Sequence, residues 1–334
     1  MYKLNNKIAI VMRNLSLIVF ILLVVTNITS CRKETIEPGK IEQVDLNTIS
    51  RLNRIHFMND SVCIVGGGER FHEADIITST DAGQSWSLAS YPEAGKGMYG
   101  MAVDANGKAW LCGTDGKLLA TNDHGATWSF HQLAYWWFFN SMAFTTNGRC
   151  IALATNAQNY GTIVRIDSNY NISDTTYMKF GLNDIAMPLP GTGYIAGFGA
   201  VLKTDNGGDS WAYMDVKNDN FMSVYCLNEQ EVWVCGYRGT IYHTTNGGTT
   251  WDKQRNGNLL IQKNYMLLDI YFKDSNKGWA CGEDGLLIYT TDGGNSWTEY
   301  KKFTGNALRA ITMAPDGRLI IIGDNGSMYK LATD

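Results

Sequence analysis

After residue 50 the chain is written in short apolar runs broken by Gly, Asn, Asp and Ser. Leu268-Asp-Ile-Tyr-Phe272 reads as one strand and Gly278-Trp-Ala-Cys-Gly282 as a second. The turn residues Glu283-Asp-Gly285 follow, and then a third strand over Leu286 to Tyr289. No helical periodicity of useful length interrupts this pattern. The expectation is an all-β protein.

The runs are organised by a phrase that recurs five times, [Ser/Thr]-x-[Asp/Asn]-x-Gly-x-[Ser/Thr]-Trp. Its copies are Ser79 to Trp86, Thr121 to Trp128, Thr204 to Trp211, Thr244 to Trp251 and Thr290 to Trp297. Steps from Trp to Trp are 42, 83, 40 and 46 residues, and 83 is close to two of the others. A constant period near forty built of short strands is the mark of a β-propeller. In each copy the acidic or amide residue (Asp81, Asp123, Asn206, Asn246, Asp292) suits a tight turn by bonding backbone N–H groups just ahead. Gly takes the positive φ. The Trp (Trp86, Trp128, Trp211, Trp251, Trp297) opens the next strand and packs its ring beneath the turn. The phrase resembles the Asp-box of sialidase-like propellers and of the photosystem II assembly factor family. As such it is a folding device on a blade's outer hairpin.

Aligned on the phrase, units begin near Leu52, Gly97, Phe138, Gly181, Asn218, Leu259 and Thr304, which makes seven blades. In the third the phrase has decayed to Asp167-Ser-Asn-Tyr170, which accounts for the double step. The seventh stops at Leu331, one strand short. An open edge invites aggregation, so Ile41 to Ile49, which alternates like a strand, is expected to supply the missing piece. The fold expected is a seven-bladed β-propeller over 41–334, closed by an N-terminal strand.

The start of the chain is different. Lys3, Lys7 and Arg13 precede an apolar run from Leu15 to Val25 and then Ile28-Thr29-Ser30-Cys31. A basic start, a short apolar core and small residues before a cut describe a secretory signal over 1–30. The run is too short to span a bilayer. Ile-Thr-Ser-Cys resembles the bacterial lipobox, which implies lipidation at Cys31, with 31–40 as a tether and the outer membrane as the location. Cys31-Arg-Lys-Glu34 matches the surface-export signals of Bacteroidetes-type lipoproteins only partly, so the side of the membrane stays open. Losing three positive charges takes the net charge from −4 to −7. That mild acidity speaks against nucleic acid and against an electrostatic grip on anionic lipid.

Six cysteines remain after Cys31. Cys112, Cys235 and Cys281 share one blade position, which Val65, Ala196 and Ile322 fill elsewhere, so the site wants a small apolar group. Cys63, Cys150 and Cys226 also read as core. Free buried thiols are expected, with no metal site and no cofactor, since no Cys-x-x-Cys occurs and the five His are scattered.

In propellers the functional face usually carries the loops between strands two and three and those joining blades. Here these hold Glu69 to His72, Thr114-Asp115, Asn156 to Tyr160, Phe198, Tyr237-Arg238, Glu283-Asp284 and Asp324-Asn325, and at the joins Tyr135 to Phe139, Phe221 and Tyr265. Five consecutive aromatics at 135–139 cannot all face inward from an alternating strand, so some are exposed and suited to binding. Tyr135, Trp136, Trp137, Tyr160, Phe198, Tyr237, Arg238 and Glu283 are the candidate binding residues. Along the channel the alignment brings together Arg54, Gly100, Ser141, Asp184, Ser223, Asp269 and Ala310, whose charges suit a structural pairing or a polar ligand.

Three functions compete. The repeat, as in Trp233 to Trp251, is similar to the photosystem II assembly factor propellers over nearly all of 50–334. That resemblance implies a non-enzymatic scaffold presenting a protein-binding face, here to an outer-membrane protein. A surface glycan-binding accessory would use the aromatic run as a platform, with Asn156, Asn159 and Arg238 as polar partners. A sialidase-type glycosidase is the third. Arg54-Ile55 resembles its Arg-Ile-Pro start with His56 in place of Pro, but three arginines, a Tyr–Glu pair and an acid Asp are also required. Arg70, Arg149, Arg165, Arg238, Arg255, Arg309 and Arg318 show no such placement in the alignment.

Overall fold

This computed structural model describes residues 35–145, 148–155, 160–216, 219–256 and 264–333. The chain divides into residues 1–35 and 36–334, and the second carries all that follows. The signal segment, Cys31 and the candidate sugar-binding partners Asn156 and Asn159 lie outside the described residues.

Among the described residues seven sheets form, each from antiparallel strands consecutive in sequence, except that the sixth adds Thr35–Ile36 and the last adds a strand from the start of the chain. Blade one is typical: Leu52–Phe57, Cys63–Gly67, Asp75–Ser79 and Ser87–Ser90. First strands of successive blades begin at Leu52, Met98, Phe138, Leu182, Phe221, Leu267 and Leu308. Each touches the next, and the seventh returns to the first, so they line the axis of a closed ring. The expected starts hold closely except in blade six, whose first strand begins eight residues beyond Leu259. Leu259 and Asn218 are outside the described residues.

The missing strand comes from where it was expected, but it is shorter. Ile41–Val44 pairs antiparallel with Met328–Leu331, matching Ile41 to Leu331 and Val44 to Met328. Residues after Val44 leave the sheet, and Ile49 is 82% exposed. The expected free tether is also shorter than 31–40, since the Ile36 carbonyl accepts the Lys301 N–H at 2.7 Å on the outer edge of blade six.

The repeated turn has one geometry in all five copies. In blade one Ser79 Oγ accepts the Gly83 N–H at 2.8 Å and donates to Asp81 Oδ1 at 2.8 Å. Asp81 Oδ1 also accepts the Ser85 N–H at 2.9 Å. Thr204, Asn206 and Ser210 repeat this at 2.9, 2.9 and 3.0 Å. These bonds favour the ionised form, and the partners Ser85 and Ser79 hold the exposed Asp81 carboxyl down at about 2. The glycine does more than take positive φ. A Cβ on Gly208 (φ 84°) would stand 1.8 Å from Ile151 of the preceding blade, and one on Gly125 (φ 80°) 2.9 Å from Ile64. The turn is thus a contact between blades. Polar side chains of the preceding blade bond its carbonyls: Arg165 donates to Gly208, Gln254 to Gly293 and Lys330 to Gln84. In blade three, Asp167 keeps a tighter turn by accepting from the Asn169 and Asn171 N–H groups. Tyr170 there stacks on His131 at 3.5 Å and packs on Trp110.

The core is one cluster between each pair of blades. Trp110, Trp233 and Trp279 of the second strands are fully buried in it, and truncating any one to Ala costs roughly 3–5 kcal/mol. The six cysteines among the described residues are free, with five buried and Cys226 half-buried. One alignment needs correction: the residue equivalent to Cys112 in blade one is Gly66, which pairs with Arg54 as Cys112 pairs with Gly100. Val65 lies one place earlier. The tandem Gly66-Gly67 hid the offset, and a side chain at 66 would strike Leu111.

Candidate binding face

Every first strand carries a one-residue irregularity at the same place, with register shifts between Leu52 and Arg54, Met98 and Gly100, Leu182 and Asp184, and likewise around the ring. A bulge adds a residue that the partner strand does not match and turns its side chain aside. The bulged residues are Asn53, Tyr99, Asn140, Asn183, Met222, Leu268 and Arg309, and all seven line one cavity of about 520 Å³ at the mouth of the channel. Three of the asparagines also tie blades together. Asn53, Asn140 and Asn183 each donate at 2.7 Å to the first-strand carbonyl of the next blade, at Met98, Leu182 and Phe221.

Below this tier lies the ring read from the alignment. Arg54 Nη2 reaches across the channel to Asp184 Oδ1 at 3.2 Å, and Ser141 and Ser223 donate to the same carboxylate at 2.7 and 3.1 Å. The pairing that one of the two sequence readings expected is formed.

Four arginines meet at the mouth: Arg51, Arg54, Arg70 and Arg309. The sequence alignment did not foresee this convergence. Arg70 comes from the loop after the second strand of blade one, and its guanidinium lies over the rings of Phe71 and Phe138, 5.1 and 5.5 Å from their centroids. Arg309 is paired with Asp324. Arg51 stands 5.6 Å from the Tyr99 centroid and 3.8 Å from Asp324. Its Nε has no hydrogen-bond partner among the described residues. Burial, and next the charge of Arg309, lower the Arg51 pKa, yet a guanidinium stays charged at any physiological pH. Among the described residues the cavity lining contains no Asp or Glu, and the carboxylates beside it, Asp184 and Asp324, are paired with its arginines.

The aromatic run is divided among tasks. Phe139 is fully buried and Phe138 lines the cavity, 4.7 Å from Tyr99. Tyr135 and Trp137 stack at 4.2 Å, and Trp137 meets Tyr177 edge-on at 6.3 Å. Trp136 projects outward, 75% exposed. The segment is clamped from below: the Gly116 N–H donates to the Trp137 carbonyl at 3.0 Å and the Leu133 N–H to the Gly116 carbonyl at 2.9 Å. Gly116 (φ 70°) admits this because its missing Cβ would lie 2.2 Å from the Tyr135 carbonyl.

Tyr160, Phe198 and Tyr237 are exposed, on loops at the same end of the ring. Arg238 occupies the left-handed region (φ 61°), where blades two and six place Asp115 and Asp284. Glu283 instead accepts the Met266 N–H at 3.2 Å and so braces a loop. None of the eight candidates lines the cavity; they surround it or lie beyond it.

A family model for the photosynthesis system II assembly factor YCF48 matches residues 166–263 and 254–332, together half of the chain. The chain belongs to the YCF48 family. Solved members share the fold. "YCF48 bound to D1 peptide" is 16% identical with a TM-score of 0.70, covering 91% of this chain and 98% of that one. YCF48 from Cyanidioschyzon merolae is 16% identical with a TM-score of 0.65, covering 87% and 98%. The propeller as such is not specific to the YCF48 family: virginiamycin B lyase from Staphylococcus aureus, 12% identical, superposes with a TM-score of 0.70 over 88% and 99%. No curated protein sequence matches the chain. Membership of the YCF48 family supports a non-enzymatic, protein-binding propeller.

Proposed function

We propose that the chain is a non-enzymatic assembly propeller that holds a segment of a membrane-protein partner on the loop face described above. It is tethered through a lipid at Cys31 to a bacterial outer membrane. The observation that carries the reading is the cavity at the mouth, where four guanidinium groups line one space and only two carboxylates, Asp184 and Asp324, are paired with them among the described residues. Such a site suits an anionic group on an extended segment, since Arg recognises carboxylates through paired N–H donors. Aromatic side chains around it supply contact area at small entropic cost. That a YCF48 structure is titled as bound to a D1 peptide supports a membrane-protein partner here.

A surface glycan is the second reading, favoured by the exposure of Trp136 and Tyr177, whose rings are open to stacking. The two readings separate cleanly. Mild detergent extraction of the anchored chain, with an Arg51→Ala/Arg70→Ala double variant in parallel, should recover a membrane protein with the wild type and lose most of it with the double variant. Polysaccharide binding that survives the arginine changes but disappears with Trp136→Ala would favour the glycan.

A further inference from the structure

At the ring axis, beneath the mouth, a hydrogen-bond chain is one proton short. Asp184 Oδ2 accepts from Ser223 Oγ at 3.1 Å and from the Val224 N–H at 3.2 Å, while its Oδ1 takes Arg54 and Ser141. Asp269 Oδ1 lies 2.9 Å from that same Ser223 Oγ and accepts the Ile270 N–H at 3.0 Å. Its Oδ2 accepts the Ile311 N–H at 2.9 Å. Ser223 carries a single hydroxyl proton, and an ionised carboxylate has none to give. With both acids ionised, one carboxylate oxygen must face a hydroxyl lone pair at hydrogen-bonding distance, and that contact is unfavourable. One added proton resolves the arrangement. Asp269 then donates to Ser223, Ser223 donates to Asp184, and Arg54 neutralises Asp184 from the far side.

We propose that Asp269, Ser223 and Asp184 form a proton-binding site at the ring axis, whose occupancy sets how tightly the arginine-lined mouth holds an anionic group. The proposal rests on reading the mouth as the binding site. Burial, only partly offset by the Arg54 charge and reinforced by Asp184, raises Asp269 to about 6. Arg54 and Arg309 stay charged, and burial pushes Tyr225, Cys235 and Cys281 up, so they stay neutral. Arg54 belongs both to the chain and to the cavity lining. Protonating Asp269 therefore removes a negative charge from directly below the mouth. By reciprocity, an anion bound in the mouth must raise the proton affinity of Asp269.

Sulfate, which keeps its charge throughout, is the probe, with the full chain extracted in detergent. Calorimetric titration should show sulfate binding about fivefold or more tighter at about pH 5 than at about pH 8. In Asp269→Asn the difference should vanish, with binding held at the tighter value. Carbon-13 NMR of the Asp269 carboxyl, assigned by its loss in that variant, should show a midpoint near 6 that rises with saturating sulfate. Equal wild-type affinity at both pH values overturns the coupling, and a midpoint in the ordinary carboxylate range overturns the proton site. Arg70→Ala should weaken sulfate at both pH values. If it does not, the mouth is not the binding site, and the NMR midpoint alone still decides whether the axis binds a proton.

Discussion

Ala82 (φ 59°) and His124 (φ 57°) hold a left-handed position that the other three repeated turns give to Gly207, Gly247 and Gly293. An L side chain there costs about 1–2 kcal/mol, partly offset by the lower entropy of its unfolded chain. Ala82→Gly should therefore stabilise the protein by about 0.5–1 kcal/mol, seen as a higher urea midpoint with an unchanged slope. The glycine at the second left-handed position of each turn was legible in the sequence, because Gly83, Gly125, Gly208, Gly248 and Gly294 recur in every copy of the phrase. The first strained position was not, since Ala and His disguise it. The contact of Gly208 with Ile151 of another blade was equally hidden, because spacing records what recurs and not what lies against it.

At the scale of strands the alignment placed the lower channel tier correctly in all seven blades, down to Asp184 and Asp269, because those residues keep the period-two register of their strands. It missed the tier above. A bulge breaks the alternation for one residue, so Asn53, Tyr99 and Arg309 look like noise in a strand rather than a ring of side chains. The closing strand was legible because the seventh unit visibly lacked a piece, although its true length, Ile41–Val44, was not. Replacing Glu42 and Gln43 together with Pro removes whichever N–H faces the last strand. The double variant should lose roughly 1–3 kcal/mol through the missing ladder bonds. It should also associate with rising concentration through the exposed Met328–Leu331 edge, checked by sedimentation velocity.

At the scale of the whole ring, Arg309 of blade seven joins Arg51, Arg54 and Arg70 of blade one only because the seventh blade returns to the first. No local pattern announces such a meeting, which is why the aromatic run drew the eye and the arginines did not. The axis also leaves a mark on stability. Between the ordinary Asp value of 3.8 and about 6 the folded state holds a proton on Asp269 that the unfolded chain has released. Its contribution is present below that window and is lost as pH rises through 6. His56, His131 and His243, lowered by burial, act in the opposite direction but cancel on comparison with Asp269→Asn. The stability of wild type minus variant should fall by about 2 kcal/mol from acid to neutral pH, measured by denaturant titration at each pH. The stitch between Ile41–Val44 and Met328–Leu331 has a further consequence in time. A ribosome releases the first of these segments before any blade exists and the second only after all the others. The earliest piece to emerge must wait unmated through the making of the entire wheel, so the finished ring cannot form until synthesis has passed its last strand.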